Sequence, residues 1–92
     1  MAKSKSIITV VGKDQVGIIA RVTGYLSENN VNVEDITQSI VAGFFNMMMI
    51  VDTGASTKEF LTLSKELEEL GSKIGVMIKL QREDIFESMQ RI

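Results

Sequence analysis

Apolar residues form six blocks along the chain, and their spacing changes between a strand-like and a helix-like period. Over 17–28 and 60–70, apolar positions recur every three or four residues, which predicts two amphipathic helices. Four other blocks are short, apolar and rich in β-branched or methionine residues, and they predict strands at 7–11, 31–41, 44–51 and 74–80. The predicted order is strand, helix, strand, strand, helix, strand.

Glycine and asparagine residues punctuate the first half of this pattern. Gly12 bounds the first strand and Gly17 opens the first helix, while Asn29–Asn30 predicts its end because asparagine tolerates the left-handed conformation. Gly24 interrupts the helix at a cost of about 1 kcal/mol relative to alanine. We expect a close approach of the helix backbone to the sheet at Gly24.

The second half carries a different set of boundary signals. Glu34–Asp35 makes the second strand irregular and predicts a β-bulge, and Ala42–Gly43 predicts the following turn. Ser56 and Glu59 have the three-residue spacing of a capping box before the second helix. Gly71 is expected to end that helix.

Two β-α-β crossovers joined by a hairpin define an α+β, ferredoxin-like fold. This βαββαβ sandwich has a four-stranded antiparallel sheet with two helices on one face. Residues 1–92 are expected to form one domain, since 92 residues leave no room for a second core. The tail adds a short C-terminal helix, with Ile85, Met89 and Ile92 on one stripe beside Phe86.

The third strand is apolar on both of its faces. One parity carries Phe45, Met47 and Met49, and the other includes Phe44 and Met48. A sheet face exposed to solvent alternates apolar with polar residues, so we expect the second face to be covered. A homodimer is the favoured cover, with the C-terminal helix lying on its own sheet or on a partner's; a simply apolar surface is the alternative.

Composition excludes several kinds of chemistry. The chain has no histidine and no cysteine, which removes imidazole and thiolate ligands, histidine acid–base catalysis and disulfides. No metal or other cofactor is expected. The net charge of −2 supplies no basic field for nucleic acid. The apolar run at 7–11 is too short for a signal core or a membrane span, so a cytoplasmic protein without membrane association is expected.

The stretch from Gly12 to Asn32 is the candidate site. The backbone N–H groups at the start of a helix favour an anion, and Asp14 places a negative charge at the same mouth. Together they would hold the carboxylate and the ammonium of an amino acid, and Asn32 is expected near the same end of the sheet. The alternative is structural, with Asp14 capping the helix, Gly17 packing closely and Asn32 satisfying local backbone groups.

The pattern IITVVGKDQVGIIARVTGYLSENNVNVEDITQSIV resembles the ACT domain, a small-molecule regulatory module of amino-acid metabolism. Asp14, Val16 and Gly17 stand at the family's loop positions, although Val16 replaces a frequent proline, and 31–33 matches its hydrophobic-Asn-hydrophobic strand start. The resemblance covers the chain and is strongest to stand-alone ACT proteins of unassigned function with an extra C-terminal helix. It implies a homodimer that binds an amino acid at the interface and regulates a metabolic enzyme.

The resemblance implies that Asp14 and Gly17 contact the ligand from the loop and Asn32 from the neighbouring strand. The full set of expected ligand-binding residues is Gly12, Asp14, Val16, Gly17, Ile18 and Asn32. No catalytic residue is expected, and the chain is not predicted to be an enzyme.

Three other functions are alternatives to amino-acid binding. An acylphosphatase-like hydrolase would use the glycine loop and Arg21, but Asp14 would repel phosphate, and Arg21 is interpreted as a solvated helix-face residue. RNA-recognition modules need stacking aromatics that the strand at 7–11 lacks. An interaction module that docks on an enzyme or transporter without any metabolite stays open.

Overall fold

The computed structural model describes residues 5–83, which form one four-stranded sheet and two helices. The six elements are β1 (Lys5–Lys13), α1 (Ile18–Glu28), β2 (Asn32–Val41), β3 (Phe44–Asp52), α2 (Phe60–Ile74) and β4 (Val76–Arg82). The strand order is β2-β3-β1-β4 and every neighbouring pair is antiparallel, which confirms the ferredoxin-like fold. The predicted helix at 85–92 lies outside the described residues.

One apolar core fills the space between the helices and one face of the sheet. Burying each of its large side chains contributes about 1.5–3 kcal/mol relative to exposure. The alternating strand residues meet the buried stripes of both helices, as the two periodicities predict. Its central members are Ile8, Val10, Ile18, Val22, Leu26, Met47, Met49, Leu63, Leu67 and Ile78.

Strand register defines two ends of the sheet. Lys13 pairs with Phe44, which pairs with Val41, whereas Lys5 pairs with Asp52 at the opposite edge. We call the end that contains Lys13 the loop end; it comprises residues 12–17, 42–43 and 74–75. We call the end that contains Asp52 the far end; it comprises residues 29–32 and 52–57.

Three boundary predictions are confirmed. The register of β2 against β3 shifts between Val33 and Asp35, which places the bulge at Glu34. Ala42 and Gly43 turn the chain with φ of 54° and 82°. Asn30 follows α1 with φ of 60°, the left-handed conformation that asparagine tolerates.

The predicted helix begins at Phe60 as expected, but its predicted cap and its C-terminal end are wrong. Ser56 does not cap the helix: its Oγ accepts from the N–H of Lys58, and the N-cap is Glu59, with no side-chain hydrogen bond. The helix continues past Gly71 to Ile74, so β4 does not begin at Ile74. A Cβ on Gly71 would lie 2.6 Å from the carbonyl oxygen of Val76, so this glycine is a close-packing position. Gly75, with φ of 82°, is the residue that ends the helix.

The prediction for Gly24 is also wrong. A Cβ on Gly24 would find no atom within 4 Å, and the residue lies on the exposed side of α1. Nothing within the described residues requires glycine at this position.

The second face of the sheet carries the apolar residues that the sequence predicts. We call this surface the open face; its exposed part lies toward the loop end, whereas Ile7 on the same face is only 5% exposed. Its exposed members are Val11, Val41, Phe44, Met48 and Met77, with 39% to 69% of each side chain accessible.

Candidate ligand-binding site

The start of α1 is uncapped. Gly17 is the N-cap residue with φ of 93°, a left-handed conformation that strains any residue with a Cβ, and no side chain caps the helix. The first hydrogen bond of the helix runs from the N–H of Arg21 to the carbonyl of Gly17 at 3.0 Å. Within residues 5–83, the N–H groups of 18–20 therefore have no acceptor.

Asp14 does not cap this helix, so the structural alternative for this residue is wrong. Its backbone N–H instead donates to the carbonyl of Gly43 at 3.0 Å, which ties the loop to the β2–β3 turn. Its side chain is exposed at the mouth of the loop.

A small cavity opens between the start of α1 and the end of α2. Its volume is about 90 Å³. Three of the predicted residues line it, while Gly12 and Asp14 do not. Gly12 instead packs against β4, where an added Cβ would lie 2.7 Å from Cγ1 of Val76. The lining residues are Gln15, Val16, Gly17, Ile18, Arg21 and Ile74.

Two of the lining residues were not predicted as site residues. Arg21 is exposed on α1, as the sequence predicts, and it also lines the cavity four residues after Gly17; no described residue forms an ion pair with it. Gln15 donates from Nε2 to the carbonyl of Ile74 at 2.6 Å. The four-residue spacing from Gly17 was the signal for Arg21, whereas no local pattern pairs Gln15 with a residue 59 positions away.

Asn32 does not lie near this cavity in the same chain. It pairs with Asp52 at the far end, because β1 and β2 run in the same direction and α1 returns the chain from the loop end to the far end. About nine residues of strand, roughly 30 Å, separate the two ends. The predicted placement beside the loop is wrong within one subunit.

A polar contact fixes the two helices against each other beside the core. The hydroxyl of Tyr25 donates to Oε1 of Glu66 at 2.6 Å, and Nζ of Lys58 donates to the same oxygen at 2.7 Å. The Lys58 and Tyr25 hydrogen bonds lower the pKa of Glu66. Burial, followed by the bond to Glu66, raises the pKa of Tyr25.

Residues 5–83 show neither a metal site nor a membrane-spanning helix. Across 5–83, no three acidic side chains come together to hold a metal ion. Neither helix in this range is long and apolar enough to cross a membrane.

Comparison with known proteins agrees with this fold and loop. The ACT domain family model matches residues 5–81. A UPF0237 protein of Bifidobacterium longum is 60% identical over 97% of this chain and 99% of its own length. A second, from Clostridium acetobutylicum, is 49% identical over 96% of this chain and 99% of its own. The solved structure of an ACT domain protein from Streptococcus pneumoniae superposes with a TM-score of 0.81 at 40% identity, covering 94% of this chain and 97% of that one.

The chain belongs to the ACT domain family, and within it to the small stand-alone UPF0237 proteins. ACT domains are ligand-binding regulatory domains. The uncapped helix start beside a cavity is the feature of this chain that suits such a role.

Proposed function

We propose that this chain is a regulatory domain that binds a free amino acid at the loop end and has no catalytic activity of its own. The observation that carries the proposal is the uncapped start of α1, which opens on a cavity lined by Arg21. The free N–H groups of 18–20 and the guanidinium all attract a carboxylate. Asp14, exposed at the mouth of the loop, is the group for the ammonium end.

Cavity size narrows the ligand further. A volume of about 90 Å³ suits a small amino acid better than an aromatic one. The apolar lining from Val16, Ile18 and Ile74 would face the aliphatic part of the ligand.

We further propose that the working unit is a homodimer joined through β2. This strand is ten residues long and lies at one edge of the sheet. Its helix-side residues Ile36 and Ile40 are 41% and 59% exposed. A long edge strand with exposed apolar side chains readily pairs with another strand.

Two-fold symmetry would also bring Asn32 of one copy close to the ligand site of the other. When β2 pairs antiparallel with β2 of a second copy, the start of one strand lies beside the end of the other. Asn32 of one copy would then stand near the loop end of its partner, where it could complete the site. Ligand binding would in this way depend on dimer formation, and a metabolic enzyme would be the regulated partner.

Thermal-shift measurements with each of the twenty amino acids test this function. At ten times Kd, a ligand adds about 1.4 kcal/mol of stability, or a rise of about 5 °C or more for a domain of this size. One or a few small amino acids should give such a rise. Asp14→Ala and Asn32→Ala should reduce it, whereas Ser39→Ala, an exposed position on the same strand, should not.

Dimerisation is tested separately by light scattering. Ile36→Lys should shift the protein toward monomer and weaken the amino-acid response with it. A monomeric wild type, or a dimer unaffected by this substitution, would contradict the β2 interface.

An interaction module without a metabolite is the second candidate. The exposed open face supports it, because Phe44, Met48 and Met77 are large apolar side chains exposed on one face of the sheet. No thermal response to any amino acid would favour this function. Hydrolysis of a simple acyl phosphate by the pure protein would instead return an enzyme to consideration.

A further inference from the structure

Gln15 reaches from the β1–α1 loop to the end of α2. Its Nε2 donates to the carbonyl of Ile74, the last residue of that helix, at 2.6 Å. The final four carbonyls of a helix have no donor within the helix. Gln15 therefore supplies from a distant segment the donor that this carbonyl lacks.

The loop has few other restraints. The N–H of Asp14 bonds to Gly43 at 3.0 Å, which holds the loop on the side of the β2–β3 turn. Val16 is fully exposed and adds no packing. On the side of α2, the Gln15 hydrogen bond is the one polar tie that the described residues give to residues 14–16.

The same hydrogen bond joins two walls of the cavity. Gln15 and Ile74 both line it, and so do Gly17 and Arg21 on α1. Gly75 lies against the amide, since a Cβ on this residue would sit 3.8 Å from Nε2 of Gln15. The width of the cavity thus depends on this hydrogen bond, in which the amide of Gln15 is already engaged.

We propose that Gln15 is a positioning residue for the ligand site. It holds the start of α1 at the separation from α2 that the ligand requires, although its amide is engaged with Ile74 and is not offered to the ligand. The part of this inference that concerns affinity rests on the proposed amino-acid binding. Its structural part, the ordering of the loop, stands independently.

Three variants separate positioning from a general effect on stability. Gln15→Met keeps the length of the side chain and removes the donor. Gln15→Lys restores a donor, and a cation is favourable at the end of a helix. Lys65→Met also removes a donor and adds a methionine, at an exposed site on α2 outside this cavity.

Hydrogen–deuterium exchange of the hydrogen-bonded amides of Asp14 and Arg21, without ligand, is the first readout. Loss of one neutral hydrogen bond should speed exchange there by about threefold to tenfold in Gln15→Met. Gln15→Lys should recover most of the protection, and Lys65→Met should leave it unchanged. Equal exchange in Gln15→Met and wild type, or faster exchange spread evenly over the whole chain, would overturn the positioning role.

Calorimetric titration with the amino acid that gives the largest thermal shift is the second readout. Affinity should fall by about threefold to tenfold in Gln15→Met and return in Gln15→Lys. Wild-type affinity in Gln15→Met overturns the inference while amino-acid binding stands. If wild type binds no amino acid, the proposed function fails, and the exchange data alone decide whether Gln15 orders the loop.

Discussion

The backbone groups at the two ends of the sheet differ in their hydrogen-bond partners. At the far end, side chains close the loops: Nδ2 of Asn29 donates to Tyr25, Nδ2 of Asn30 donates to Ala55, and Asp52 accepts from Gly54. At the loop end, the start of α1 has no such partner, and its N–H groups face a cavity. The start of α2 also lacks a side-chain cap, so the difference between the two ends lies in the cavity and in Arg21 beside the start of α1, which support the proposed ligand site there.

A substitution that disturbs the close packing near the loop end should give the largest loss of stability. Gly71→Ala forces a Cβ to within 2.6 Å of the carbonyl oxygen of Val76, so α2 must move away from β4. Overpacking of this kind costs about 2 to 3 kcal/mol, measurable by urea denaturation.

Gly24→Ala is the matched control, because its Cβ has no neighbour within 4 Å. It should stabilise the protein by about 0.5 to 1 kcal/mol through helix propensity. Equal effects of the two substitutions would show that the packing of Gly71 is not as described.

The far end should depend on Asn29. This residue is buried, its Nδ2 donates to the carbonyl of Tyr25 at 2.8 Å, and its own carbonyl accepts from the N–H of Thr57. Asn29→Ala should cost about 1 to 2 kcal/mol in thermal unfolding, since it removes a buried hydrogen bond. Asn32→Ala, at an exposed position of the same end, should change stability by less than about 0.5 kcal/mol. A reversed order would contradict the closed far end.

The β2–β3 turn at the loop end carries residual strain. Ala42 has φ of 54°, which costs an alanine about 1 kcal/mol, while asparagine tolerates this region and favours such two-residue turns before glycine. Ala42→Asn should stabilise the protein by about 0.5 to 1 kcal/mol in urea denaturation. The same exchange at Ala20, within α1, should instead destabilise by about 0.5 kcal/mol.

The smallest expected effect concerns pH at the contact between the helices. Hydrogen bonds from Lys58 and Tyr25 lower the pKa of Glu66, so this carboxylate stabilises the fold above its usual pKa of 4.5. That contribution is lost as pH falls through the lowered value. Wild type should therefore exceed Glu66→Gln in Tm at pH 7, and the difference should shrink in acid. Glu68→Gln, on the exposed side of α2, should give no such trend.

The sequence predicts the fold well because periodicity reports local geometry. Apolar spacing located all six elements, and the turn at 42–43 and the bulge at Glu34 follow from local residue preferences. The roles of Gly71 and Gly24 differ from the predicted ones because they depend on tertiary structure and not on local geometry. Whether a glycine ends a helix or packs against a strand depends on tertiary neighbours that no local pattern contains.

The site was only partly predictable. Gly17 marks the loop because its left-handed conformation has a sequence signal, and Val16 and Ile18 follow from it. Asn32 was misplaced because the family pattern joins residues that lie at opposite ends of one chain. Gln15 was missed because its partner, Ile74, is distant in sequence and offers only a backbone carbonyl.

An amide NMR titration with the twenty amino acids tests the central claim most directly. A small amino acid should shift the signals of residues 16–21 in a saturable manner, while those of Gly54 and Thr57 at the far end stay in place. Gly17→Val, which strains the left-handed N-cap, should abolish the response. Absence of any saturable shift, or shifts centred on the open face, would contradict a ligand site at the loop end.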